Sequence, residues 1–429
     1  MNLKVILIII VGVLVSFFFF PFEFTFLPKG LNTKIMLAAI GLPMMVYHMV
    51  ILRRPVISKE IFFASLIALI FSLIGFYSVD INHSDDYAYA TYIASMWIWL
   101  SAAYAVVSLI AILHGKLSVR LVVNYLIVVC VAQCISALVI DFSPTVKSFV
   151  DQYIDLGIND FLNKVNRLYG LGATLDVAGV RFSAVLIMIS VLIVNNLHIQ
   201  RNPHEIYFYS FSFLLILGIG NMISRTTIIG VILSSLYFLY SSNLIKFQIE
   251  QHNVKMWKAI TISVFVIVCV GIYFYRTNAE IYDLLRFGFE GFFNWAETGE
   301  FRTDSTDRLN SVMWIWPDPN DLRTWLIGKA TFSNWYAVGT DIGYCRFVFY
   351  CGLIGLTTFI IFFLYISIAL WFQIKTYRHL FALLFILALI NWVKVSTDIF
   401  LVYAVFLCLN SPYLFEEYYD KSDDEIMTS

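Results

Sequence analysis

Three arginines, Arg181, Arg225 and Arg346, stand at or just inside the ends of long apolar runs, where a permanent charge is costly. An arginine at the centre of a membrane helix costs about 2.5 to 3.5 kcal/mol on insertion scales, and less near an interface, where its side chain can snorkel. One such residue calls for no explanation. Three at one depth, on runs that flank two long polar connections, point to a cluster around an anion. Guanidinium is always charged and grips phosphate oxygens through two parallel hydrogen bonds, which suits a diphosphate group and requires no metal. The alternative is that each arginine is an interface anchor or has a private carboxylate, such as Asp176 or Asp341.

The longer connection, residues 276–343, carries Arg276, Arg286, Arg302, Arg308, Arg323 and Lys329 against ten acids, so it is not a generic basic patch. It ends in Gly339-Thr340-Asp341-Ile342-Gly343-Tyr344-Cys345-Arg346 as the chain turns apolar again. Its segment Ile281 to Trp295 has an amphipathic helical pattern. Trp314, Trp316, Trp325, Trp335, Tyr336 and Tyr344 supply flat rings that serve as interfacial anchors or as stacking platforms for sugars; Trp335 and Tyr344 are the candidate substrate-contacting pair. The shorter connection, 141–180, repeats apolar residues at spacings of three and four, the pattern of one or two helices lying on a membrane surface. They either cap the bundle or form the wall of a groove.

Other chemistries find little support. His83, with Asp80, Asp85 and Asp86, reads as a solvated acidic turn, with a divalent cation as the sharper option. No Ser-His-Asp order, Cys/His ligand spacing or phosphate-binding glycine loop is visible, so neither cofactor nor metal is expected. No basic block suits nucleic acid.

The elements that must hold these residues are membrane helices. With 60% hydrophobic and 13% charged residues, the chain lies far from the soluble range, in which about a quarter of residues are charged. Taking roughly 20 apolar residues per crossing, the sequence predicts an all-α polytopic protein. About twelve spans are expected, near 3–20, 34–52, 60–78, 92–114, 119–140, 181–199, 205–222, 226–245, 257–275, 344–372, 379–395 and 397–413. They form one transmembrane domain over 1–413, with an acidic, disordered cytoplasmic tail over 414–429. The N-terminal run is read as an uncleaved first span. The six cysteines fall within or at the ends of apolar runs, which argues against a disulfide framework.

Orientation follows from the short connections. Arg53, Arg54, Lys59, Lys116, Arg120, Arg201, Lys246, Lys255, Lys258, Lys375 and Arg378 fall on one side, and Lys29, Arg225 and Lys394 on the other. The positive-inside rule makes the first side cytoplasmic. Both termini are then inside and both long connections outside.

Two segments resemble the O-antigen polymerase and ligase family of bacterial envelopes. They are Asn221-Met222-Ile223-Ser224-Arg225-Thr226-Thr227-Ile228-Ile229-Gly230 and Gly339 to Phe347 with its continuation Gly352-Leu353-Ile354-Gly355-Leu356. Ser305-Thr306-Asp307-Arg308-Leu309, ahead of Trp314, is similar to the arginine-bearing start of that family's large external loop. The resemblance implies a glycosyltransferase acting on undecaprenyl-diphosphate-linked oligosaccharides at the periplasmic face of the inner membrane, alongside membrane lipid and a chain-length regulator. Two departures stand out. Residues 276–343 lack the histidine of the ligase branch, which favours a polymerase, and no loop arginine is followed by glycine at the eleventh position as in some polymerases.

On this reading Arg181, Arg225, Arg308 and Arg346 stabilise charge developing on a departing diphosphate. Asp341, Asp304 and Asp307 are the candidate general bases, with Asp341 first for its place beside Tyr344 and Arg346. Asp341 alternatively only orients Arg346, since a carboxylate so close to an arginine is a weak base. The rival is a lipid-linked oligosaccharide flippase or other multi-span transporter, which needs ionisable groups at mid-membrane depth on several spans. An acyl-modifying enzyme would need a histidine motif that is absent.

Overall fold

The computed structural model describes residues 3–157, 162, 167–241, 262, 265, 268–269, 271–273 and 275–424. Of the ninth expected span, 257–275, only residues 262, 265, 268–269, 271–273 and 275 are among them, and residues 158–161 and 163–166 of the amphipathic pattern in 141–180 lie outside the described residues. About 76% of the described residues are helical. In order, the helices are α1 (Leu3–Phe19), α2 (Thr33–Val50), α3 (Lys59–Ile81), α4 (Tyr92–His114), α5 (Val119–Phe142) and α6 (Pro144–Tyr153). They continue with α7 (Leu175–Asn195), α8 (Pro203–Ile223), α9 (Thr227–Ser241), α10 (Ala279–Gly288), α11 (Glu290–Thr298) and α12 (Asp304–Ser311). Then come α13 (Leu322–Ile327), α14 (Gly343–Gln373), α15 (Arg378–Asn391) and α16 (Phe400–Leu409), with short helices at Leu197–Arg201, Trp335–Val338 and Pro412–Tyr418 besides.

Among the described residues seven helices, α2 to α5, α7, α8 and α14, are long and apolar enough to cross a membrane, and α1, α9 and α16 are shorter apolar helices. The protein is membrane-embedded. A helix satisfies its own backbone groups, which lipid cannot do, so apolar runs of this length fold as helices. Their starts are written locally: Asn32, Ser58 and Ser118 accept hydrogen bonds from the N–H groups of Ile35, Ile61 and Leu121 at the first turns of α2, α3 and α5.

Helix α7 is buried almost all round and runs through the middle of the bundle, against α8 and α9. Helix α2 packs on α4, α3 on α14, and α14 on α15. The α14 span covers 31 residues, as two helical segments that meet at Gly352. Ser78, in the last turn of α3, donates to the Tyr350 carbonyl at 2.7 Å and ties the end of α3 to the first part of α14. At Gly352 the helix kinks through a left-handed residue with φ +63°, and any Cβ there would overlap the Leu326 carbonyl of α13. Phe71, Phe359 and Trp392 stack beneath this end of the bundle, with centroids 4.5 Å and 5.3 Å apart.

Three expectations change. The eleventh and twelfth spans are shorter than 379–395 and 397–413, because residues 392–399 leave the helix. The Asn391 amide and the Trp392 indole both donate to the Thr397 carbonyl, at 2.8 Å and 3.2 Å, and Asp398 caps the Phe400 N–H. The start of the acidic tail is not disordered: a short helix, Pro412–Tyr418, leads to a parallel bridge between Leu117 and Tyr419 and to a buried Asp424. The Asp424 carboxylate accepts the N–H groups of Val119 and Arg120, at 3.0 Å and 3.3 Å, and the Tyr377 and Tyr419 hydroxyls. Acidity at this point therefore caps α5, whose first N–H groups lack helical partners, rather than solvating a tail. A two-residue β-pair, β1 (Glu23–Phe24) with β2 (Ile154–Asp155), also joins the α1–α2 connection to the end of α6.

Candidate functional site

Both long connections lie at the same end of the bundle, and there they meet over one cavity of about 640 Å³. This is within the usual size range of small-molecule sites, about 300 to 1,000 Å³. Five cationic side chains line it, Arg167, Arg225, Arg308, Arg346 and Lys394, with three carboxylates, Asp176, Asp304 and Asp341.

Each wall has a local cause. Arg225 lies in the turn between α8 and α9, which is tied to α7 through Asp176. That carboxylate accepts from the Ser224 hydroxyl at 2.9 Å, from the Thr226 hydroxyl, and from Lys394 Nζ at 3.3 Å. Lys394 reaches the cavity because residues 392–399 are unwound. The start of α14 fits against that bend only as glycine, since a Cβ on Gly343 would lie 2.6 Å from the Val395 carbonyl oxygen. Arg225 also pairs with Glu290 at the head of α11, whose other carboxylate oxygen accepts the Asp304 N–H at 3.1 Å. Glu290 thus fastens α12 to the bundle, and α12 presents Asp304 and Arg308, four residues apart, on its cavity face.

The electrostatics favour an anion. Phe287 of α10 lies against two guanidiniums, Arg225 at 4.3 Å and Arg167 at 4.9 Å from its centroid. Burial pushes the Arg167 pKa down; Asp176 pulls it up and the Arg225 charge lowers it again, so Arg167 is a cation short of counter-charge. Arg346 packs on the Phe332 ring at 4.4 Å and donates from Nη2 to the Phe332 carbonyl, while its Nε is buried without a hydrogen-bond partner. Asp341 receives the Trp335 indole N–H at 2.7 Å and has no ion pair among the described residues. Among the described residues no group of three or more His, Cys, Asp or Glu side chains is placed to hold a metal ion.

Of the residues singled out from the sequence, Arg225, Arg308, Arg346, Asp304 and Asp341 line this cavity, and Trp335 stands behind Asp341. The others do not. Arg181, 7% exposed, lies deeper, over the Phe20 ring at 5.6 Å, with its Nε unpaired; its position on α7 turns it into the bundle and away from the cavity. Asp307 is spent on Arg302 at 3.0 Å. The Tyr344 hydroxyl donates to the Leu389 carbonyl at 2.8 Å and its ring meets Trp392, so it joins α14 to α15 and touches no part of the cavity. Asp176 pairs with Lys394, not with an arginine.

Arg167, Asp176 and Lys394 were not legible as site residues. Their one signal is Lys394, an isolated lysine in an apolar run, which interrupts a span only where it has work at a polar cavity. The acidic turn around His83 is also more than a solvated group, since Asp86 is bonded to Phe332 and Ser333 of the long connection. Comparison with family models, curated proteins and solved structures finds no match to this chain.

Proposed function

We propose that this chain is a membrane glycosyltransferase of twelve spans with both termini cytoplasmic. It would be a polysaccharide polymerase of O-antigen or capsular type, joining undecaprenyl-diphosphate-linked repeat units at the outer face of the bacterial inner membrane. The observation that carries this reading is the convergence of Arg167, Arg225, Arg308, Arg346 and Lys394 with Asp341 in one cavity under both long connections. Two of the cations are already matched, Lys394 by Asp176 and Arg225 by Glu290. Arg167, Arg308 and Arg346 have no ion pair among the described residues, which suits a multiply charged phosphate group.

In the reaction, a hydroxyl of the acceptor glycan attacks the anomeric carbon of the donor. The bond from that carbon to the diphosphate oxygen breaks, and the diphosphate leaves with the electron pair. Arg308, Arg346 and Arg167 stabilise the charge that grows on it, the electrostatic form of catalysis. The hydroxyl proton passes to a carboxylate, for which Asp341 is the best placed: Trp335 fixes one oxygen and no cation neutralises it at ion-pair distance. Asp304, exposed on α12, is the second candidate. A chain-length regulator would act as partner at the outer face.

A transporter remains the second reading on one observation: Lys34, Arg181 and Asp398, from three different elements, are electrostatic neighbours within the bundle. Purified protein in vesicles with undecaprenyl-diphosphate-linked repeat units separates the two. A polymerase gives a ladder of longer lipid-linked glycans. A flippase moves single units across the bilayer and forms no new glycosidic bond, and that result would sink the enzyme reading.

A further inference from the structure

Asp86 lies outside the cavity, on the connection between α3 and α4, yet its carboxylate is fully engaged. It accepts the Phe332 N–H at 2.7 Å, the Ser333 N–H at 2.5 Å, the Ser333 hydroxyl at 2.8 Å and the Ala88 N–H at 3.2 Å. Burial alone would raise its pKa, but the bonds from Ser333, Phe332 and Ala88 outweigh burial and hold the carboxyl below the usual range. The connection itself is anchored on α14: the Tyr350 hydroxyl donates to the Asp86 carbonyl at 3.1 Å and accepts the Ala90 N–H at 2.9 Å. Asp86 is thus the fixed end of a clasp and residues 332–333 are the held end.

The held end meets Arg346 twice. The Phe332 carbonyl accepts from Nη2, and the Phe332 ring supports the guanidinium face at 4.4 Å. A planar guanidinium with one nitrogen on a carbonyl and one face on a ring has its plane defined. No carboxylate pairs with it among the described residues, so its charge is not spent on the support.

We infer that Asp86 is a positioning residue for Arg346, holding the 332–333 turn that fixes the guanidinium plane for an anionic ligand in the cavity. The inference rests on the anion-site reading of the cavity. Removing the carboxylate frees three backbone N–H groups, two of them in the 332–333 turn, lets the turn relax, and leaves Arg346 charged but unaimed. Removal of the outer partner of a ligand-holding side chain weakens metal sites by roughly ten- to a hundredfold, and a loss of that order is expected here.

The test is calorimetric titration of inorganic pyrophosphate into the full-length detergent-purified protein, for wild type, Asp86→Ala, Arg346→Ala and the double variant. Each single change should weaken binding, and the double variant should bind no more weakly than Arg346→Ala, because Asp86 acts through that side chain. In an Arg308→Ala background the Asp86→Ala penalty should persist in full. Asp86→Asn, which keeps size and one acceptor, serves if the alanine variant does not fold. Wild-type binding by Asp86→Ala, or an equal penalty with Arg346 absent, overturns the positioning role while leaving the anion site standing. Wild-type protein without affinity for pyrophosphate overturns the anion site itself, and the positioning role with it.

Discussion

Lysine for arginine separates a two-pronged ligand from a membrane anchor at Arg225 and Arg346. Lysine keeps the charge and the reach but not the planar fork. At Arg346 it cannot hold the Phe332 carbonyl, rest on the ring and grip an anion at once. Loss of one transition-state contact of this kind costs about 3 to 4 kcal/mol, or a hundred- to a thousandfold in rate. Arg346→Lys should therefore reach normal membrane levels but leave single repeat units on the lipid carrier, as should Arg225→Lys, whose Glu290 pair holds α12 and Arg308 in place. Arg276→Lys, exposed and away from the cavity, should stay near wild type. Near-normal polymer in both cavity variants would return these residues to anchoring. Asp341→Asn keeps the Trp335 contact but cannot take a proton, so turnover should fall by roughly 10² to 10⁴ while pyrophosphate affinity holds. Equal loss of both would make Asp341 a support for Arg346 and not a base.

Among the elements, the kink in α14 and the latch on α12 decide where the arginines sit. Gly352→Ala forces a left-handed alanine and an overlap with the Leu326 carbonyl, at a cost of at least about 1 to 3 kcal/mol. A lowered thermal midpoint in detergent, with less folded protein, is the expected result, and an unchanged midpoint would mean that α13 moves aside freely. The amphipathic pattern over Ile281 to Trp295 was legible as α10 and α11 because one face must be apolar wherever a helix lies on a bundle. The unwound bend at 392–399 was not, since Asn391, Lys394 and Asp398 leave open whether a polar residue ends a helix or faces a cavity within it. The docked segment 412–424 was hidden for a similar reason: acidic composition describes a solvated tail and a helix cap equally well.

For the whole molecule, side and cofactor dependence are the quantities to measure. In a Cys269→Ser background, thiols introduced at 149 and 300 should react with an impermeant maleimide from outside the cell, and one at 116 only after permeabilisation. The reverse pattern would put the cavity in the cytoplasm and end the proposed reaction. Because the cavity draws its positive charge from guanidinium and lysine side chains, polymerisation should survive chelation of divalent cations. Complete loss in chelator, restored by magnesium, would mean that Asp304 and Asp341 hold an ion during turnover.

Composition and the length of the apolar runs were enough to determine a helical membrane protein with two long polar connections, because lipid leaves the backbone no other way to satisfy its polar groups. Residue chemistry was enough to single out arginines as candidate partners for an anion. Which arginines converge was decided only by tertiary structure. Arg181 and Arg346 look alike in sequence, both just inside apolar runs, but with 3.6 residues per turn a shift of one position swings a side chain by about 100°. Arg181, in the second turn of α7, lies within the bundle over Phe20, whereas Arg346, in the first turn of α14, lies on Phe332. Arg167, Asp176 and Lys394 reach the same cavity from a connection, a helix start and a broken span. No local pattern joins those positions, since their proximity exists only once α7, α14 and α15 have packed.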